Sequence, residues 1–151
     1  MTNTLHSERV FFKFHAYVCI LLEKNNKFLL IHRSNTGWMD GFWNIPGGAV
    51  EENESLKQAA AREAQEELGI IISVENLQLF HVRDVLTNNK KAVGFYFICQ
   101  NWQGEPINNE PERHSEINWF STVDLPKEVT DYAKKAIESY QNKMQFTLID
   151  K

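Results

Sequence analysis

Cysteine is scarce in this chain, with only Cys19 and Cys99 among 151 residues. Both stand in apolar runs, where buried reduced thiols are expected, so no disulfide framework holds the fold. Long hydrophobic stretches are absent as well. The longest, Ala16 to Leu22, is far below the roughly 20 residues needed to span a bilayer. No basic N-terminal region leads into an apolar segment and a small-residue cleavage site. No membrane association is expected, and the cytoplasm is the expected compartment. Positive charge is also in deficit: the formal net charge is −4, so no global field favours a nucleic-acid polymer as partner. A polyanionic small molecule would need local cations, either a few Lys and Arg side chains or bound metal.

What is present suits one folded unit. Hydrophobic residues make up 42% and charged residues 24%, an ordinary globular balance, and the length suits a single domain over residues 1–151. Residues 1–9 are polar and read as a loose N-terminal segment, and residues 143–151 as a C-terminal tail. Val10 to Leu22 is rich in Val, Phe, Ile and Leu, as in a strand. Asn25-Asn26 marks a turn, and Lys27 to His32 completes a hairpin. Phe42 to Ile45 is short and apolar, and Pro46-Gly47-Gly48 should break regular structure. Strand-like runs return at Leu77–Leu86 and Ala92–Trp102, joined by a turn at Asn88-Asn89-Lys90-Lys91. Ile117 to Phe120 is a short strand, and Pro126 should open a helix running to about Asn142. Strands, helix, strands, helix is a mixed α/β pattern.

The first helix is well punctuated. Ser55-Leu-Lys-Gln58 has the form of a capping box, and Gly69 stands where a left-handed C-cap suits glycine, which predicts a helix from Leu56 to Leu68. Its last turns carry Glu63, Glu66 and Glu67. At about 100° per residue, Glu63 and Glu67 lie roughly 40° apart and Glu66 about 60° to the side. Like charges at this spacing destabilise a helix by about 0.2–0.5 kcal/mol per pair, and acid at a C-terminus opposes the helix dipole. A hard divalent cation bound by these oxygens would offset both costs. A solvated acidic face, partly neutralised by Arg62, fits the charge pattern equally. Gly47-Gly48 would let backbone approach a ligand closely, or is a plain turn.

Spacing separates these readings. Gly48-x5-Glu54-x7-Arg62-Glu63-Ala64-x-Glu66-Glu67-x-Gly69-Ile70 resembles the Nudix box, with Ala64 small for its aliphatic position. The likeness extends to Trp43-x-x-Pro46-Gly47-Gly48 before the box, Trp102-x-Gly104-Glu105-Pro106 after it, and Trp119-Phe120-x4-Leu125-Pro126 later. It covers about residues 14–140. The resemblance implies an α/β/α sandwich with a mixed sheet and a loop–helix–loop box, which binds a divalent cation while water attacks a diphosphate linkage. By position, Glu63, Glu66, Glu67 and the Gly48 carbonyl are the implied ligands of Mg²⁺, with Mn²⁺ as a substitute. Glu54 and Arg62 would orient the glutamates. Glu66, Glu67 and Glu110 are the implied catalytic carboxylates, and Glu112 and Glu116 lie close enough to compete for the role of general base. Arg33 matches a phosphate-contacting arginine of MutT-like members, or is a surface charge at a strand end.

Substrate choice is read by exclusion. The proline that ADP-ribose-type members carry after the box is missing, since none occurs between Pro46 and Pro106. Leu86, Thr87 and Asn88 do not supply the tyrosine of dinucleoside-polyphosphate members, and the NADH-type signature is absent. A nucleoside triphosphate converted to monophosphate and pyrophosphate is the expected reaction. ADP-ribose or nucleotide-sugar hydrolysis is the enzymatic alternative, and a nucleotide-sensing Nudix module the non-catalytic one. Phe14, Trp43, Phe95 and Trp119 are candidates to stack a base, though each also reads as core; Trp119 is placed in the substrate site and Trp38 and Met39 at a pocket rim.

Overall fold

The computed structural model describes residues 13–87 and 90–150. The strands are β1 (His15–Lys24), β2 (Lys27–Arg33), β3 (Trp43–Asn44), β4 (Gly47–Ala49), β5 (Gln78–Thr87), β6 (Lys90–Cys99), β7 (His114–Phe120) and β8 (Phe146–Asp150). The helices are α1 (Leu56–Leu68) and α2 (Asp131–Gln141). The strands form one sheet in the order β3-β2-β1-β6-β5-β8, with β4 on β1 and β7 on β2. Because β1 runs parallel to β6 and antiparallel to β2 and β4, the sheet is mixed.

Alternation along each strand divides the core in two. Val18, Ile20 and Leu22 of β1 join Phe97 and Cys99 of β6 and Ala60, Ala64 and Leu68 of α1. Cys19 and Leu21 point the other way, with Tyr96, Ile98 and Ala133, Ala136 and Ile137 of α2. Both faces are covered, which explains why the central strands read as unbroken apolar runs, and the result is an α/β/α sandwich. Cys19 and Cys99 are free and buried. Among the described residues, no helix is long and apolar enough to cross a membrane.

Several elements differ from expectation. Pro46-Gly47-Gly48 does not end regular structure: Gly47–Ala49 pairs with Tyr17–Cys19. A side chain at Gly47 would collide with the Val18 carbonyl, and its φ of +148° also favours glycine. α2 begins at Asp131 rather than Pro126, because Trp43 binds the Glu128 carbonyl and the Thr130 amide, holding that segment extended. Thr130 then caps the helix through the Ala133 amide at 3.1 Å. β7 begins at His114, earlier than Ile117, because Arg33 pairs with it. Of the expected tail, Phe146–Asp150 forms β8, parallel to Val82–Leu86 of β5. Lys90 and Lys91 belong to β6 rather than to a turn. The expected loose segment 1–9, the start of the first strand and Asn88-Asn89 lie outside the described residues.

Candidate active site

α1 has the predicted bounds for the predicted reason. The Ser55 hydroxyl accepts from the Gln58 amide at 3.2 Å, and the Gln58 side chain accepts from the Ser55 amide at 2.8 Å. Gly69 closes the helix with φ +67°. The C-terminal carbonyls left over by any helix are taken up by the segment before β7. Ile107 donates to Leu68, the Asn109 amide to Glu67, and the Asn109 side chain to Glu66 at 3.0 Å. The same contacts deliver Glu110 to the acidic end of α1.

There the Glu67 carboxyl is buried and accepts from the Gly47 amide at 2.8 Å. Glu63 packs against Gly48, where a Cβ would strike its carboxylate. Arg62 organises the rest. Its Nε and Nη2 donate to the two Glu54 oxygens at 3.0 and 2.9 Å, and Nη2 also reaches the Ala49 carbonyl at 2.9 Å. Its Nη1 bridges Glu63 and Glu66 at 2.9 and 3.2 Å. Glu54 in turn accepts from the Glu51 amide at 2.7 Å, and its Arg62 partner holds the carboxyl below the ordinary range. Glu66, by contrast, is half exposed.

The electrostatics call for a cation. Burial pushes the Glu67 carboxyl up to about 8, with Glu63 and Glu110 adding to the shift against the Gly47 amide. Burial also raises Glu63, against the pull of Arg62. Glu67, Glu110 and His114 each bring one donor atom within 4.8 Å of the others. His114 is 2% exposed, and burial, with Arg33 and Arg113 nearby, pushes its imidazole down to about 4. It is therefore a neutral donor, and its 3.6 Å approach to Glu67 is too long for a hydrogen bond. Crowded, proton-hungry oxygens beside a neutral imidazole fit a divalent metal ion.

A family model for the NUDIX domain matches residues 13–140. The chain belongs to the Nudix family. Within that family the likeness is to MutT-like hydrolases. It is 39% identical over 93 residues to an 8-oxo-dGTP diphosphatase of Proteus vulgaris, covering 62% of this chain and 81% of that protein. It is 32% identical over 120 residues to an ADP-ribose pyrophosphatase of Methanocaldococcus jannaschii, covering 80% and 69%. The crystal structure of a MutT NUDIX hydrolase from Burkholderia pseudomallei superposes with a TM-score of 0.75 at 30% identity, covering 83% of this chain and 97% of that one.

In this Nudix hydrolase the two glycines join the acidic cluster to a cavity of about 250 Å³ that is also lined by Tyr17, Arg33, Trp38, Asn44 and Tyr132. Arg33 donates to the Trp38 carbonyl and the Thr36 hydroxyl, both at 2.8 Å, and its guanidinium lies 4.7 Å from the Trp38 ring centroid. Trp38 is thus at the cavity, as the sequence reading allowed. Trp119 is not: it pairs with Leu29, at the other end of β7 from the Arg33–His114 pair, and stacks on Trp102. The ring packs, partly buried, against the α1-side core instead. Trp43 is likewise core, against Phe120, and Phe95 packs on the α1 cluster. Glu112 and Glu116 are exposed, and neither joins Glu67 in the cluster that contains Glu110.

Sequence reasoning passes over His114, Asn44, Tyr17 and Tyr132. The spacing of Glu110 and His114 is the one local signal. The bonds from the Arg113 and His114 amides to the Glu110 carbonyl, both 2.9 Å, show the turn that this spacing makes.

Proposed function

We propose that this Nudix hydrolase is a Mg²⁺-dependent pyrophosphohydrolase, with Mn²⁺ as a substitute, that converts a nucleoside or deoxynucleoside triphosphate to the monophosphate and pyrophosphate. One observation carries the reading: a buried acidic cluster meets Gly47-Gly48 at a cavity that also holds an arginine. The name of the Proteus relative, an 8-oxo-dGTP diphosphatase, supports this substrate class.

Glu63, Glu66 and Glu67, with the Gly48 carbonyl, would hold the cation, and Glu110 and His114, whose donor atoms gather with that of Glu67, would be further candidates to hold it. Bound there, the cation supplies Lewis-acid neutralisation of the diphosphate charge. The protein's own groups do the rest. Glu54 and Arg62 hold Glu63 and Glu66 in place. Arg33, fixed by Trp38 and Thr36, steadies a phosphate. Glu110 accepts a proton from the attacking water as a new P–O bond forms and the anhydride P–O bond breaks, releasing pyrophosphate.

Product analysis with Mg²⁺ across nucleoside triphosphates and ADP-ribose tests this. Monophosphate and pyrophosphate are expected from a triphosphate, with a loss of at least about a hundredfold in a Glu66→Gln/Glu67→Gln double variant. A double variant as fast as the parent overturns the mechanism. Preferential cleavage of ADP-ribose would favour the second reading, which the Methanocaldococcus relative motivates.

A further inference from the structure

The first helix covers only part of its side of the sheet. α1 packs on β1 and β4, whereas β5 and β8 stand last in the strand order. Register shows what that far end presents. Phe95 and Phe97 of β6 belong to the α1-side core. Across the ladder, Phe97 faces Leu79, and Phe95 faces Val82 and then Phe146. The next rows are Val93, Asp84 and Leu148, then Lys91, Leu86 and Asp150. Residues paired across a sheet project from the same face, so these rows form one surface on the α1 side.

That surface is apolar where a solvated sheet face should be polar. Phe146 and Leu148 are 58% and 56% exposed, while Thr147 between them is half-buried, so β8 turns its apolar side outward. Leu79 and Leu86 are 46% and 42% exposed. At roughly 200 Å² for a large side chain, these four expose about 400 Å² of apolar surface. A standard interface buries about 800 Å² per partner, and homodimer interfaces are about 65% apolar, so each copy must supply about 500 Å² of apolar surface. The partly exposed Val82, Val93 and Phe95 add to the four and bring the face to that size.

Charge narrows the kind of partner. Lys91 and Asp84 pair at 2.9 Å within the face, which leaves Asp150 at its margin. The middle of the face is therefore neutral, with nothing to select an oppositely charged partner and nothing to repel a copy of a chain whose net charge is −4. Topology admits that copy. Since β8 is the last strand, a two-fold axis along the strands can set one β5–β8 face on another, with each α1 beside the other copy's β8.

We propose that the α1-side face of β5 and β8 is a homodimer interface, in which Leu79, Leu86, Phe146 and Leu148 of two copies pack together. The inference is independent of the reaction. Sedimentation and light scattering on the full chain test it. The parent should have twice the 17.6 kDa chain mass at about 50 μM, because standard interfaces bind at micromolar or tighter. Phe146→Lys/Leu148→Lys sets like charges together and should raise the dissociation constant at least about a hundredfold, as should Phe146→Glu/Leu148→Glu. Mixing the two variants should restore a dimer, which a merely structural role for β8 would not do. Leu79→Lys, on β5, repeats the test should the β8 variants fail to fold. Val123→Lys, at an apolar residue 88% exposed elsewhere, should stay dimeric. A monomeric parent overturns the inference, including one whose face is covered by a different protein. So do folded lysine variants that remain dimeric, or a lysine–glutamate mixture that stays monomeric.

Discussion

The Glu67 carboxyl, 6% exposed and bounded by Glu63 and Glu110, holds its proton up to about pH 8 against an ordinary value of 4.5. A carboxyl raised in this way remains protonated in the fold while the unfolded chain has ionised, so its contribution to stability falls as pH rises toward the folded value. His114 works in the opposite sense: lowered to about 4 from 6.5, it costs stability as pH falls below 6.5. The window in which Glu67 acts without His114 is therefore pH 6.5 to 8. Metal-free protein should lose melting temperature across that window, and Mg²⁺ should oppose the loss by favouring the carboxylate. Glu67→Gln should flatten the profile, because the amide oxygen still accepts from Gly47 while carrying no charge. Differential scanning fluorimetry with and without chelator reads this, and parallel profiles for parent and variant would contradict it.

At the scale of the element, α1 works as a frame that one arginine ties to the preceding loop. The Arg62 fork holds both Glu54 oxygens and the Ala49 carbonyl while Nη1 spans Glu63 and Glu66. Lysine keeps the charge but has no planar fork. Arg62→Lys is expected to lower Mg²⁺ affinity by about 10–100-fold, the usual cost of disturbing groups that orient metal ligands. It should lower the maximal rate far less. Titrating activity against Mg²⁺ separates the two effects; a lower rate at saturating Mg²⁺ with unchanged affinity would assign Arg62 to the chemistry instead.

For the whole molecule, β8 closes the edge of the sheet. The buried His81 ring donates from Nδ1 to the Met144 carbonyl at 2.6 Å and accepts at Nε2 from the Thr147 hydroxyl at 2.9 Å, while Phe146–Asp150 pairs with β5. Ending the chain after Lys143 would strand that imidazole and open a long edge that carries exposed Leu79 and Leu86. Losing the two bonds alone should cost about 2 kcal/mol, or roughly 4–8 °C in melting temperature, with association visible by light scattering. A truncated chain that melts like the parent and stays monodisperse would show that β8 is dispensable.

Much of this was legible locally. The Ser55–Gln58 box and Gly69 determine α1 because capping acts over a few residues, and the helical period alone puts Glu63, Glu66 and Glu67 on one face. The apolar runs of β1 and β6 mark both segments as strands. Tertiary structure decided the rest. Pairing across the sheet captured β8 and drew Trp119 onto Trp102 rather than into the cavity. The loop that caps α1 brought Glu110 and His114 to Glu67. The cavity wall comes from Tyr17, Arg33, Trp38, Asn44 and Tyr132, on separate segments. Such neighbours are set by register and by contacts between distant parts of the chain, which local periodicity does not encode.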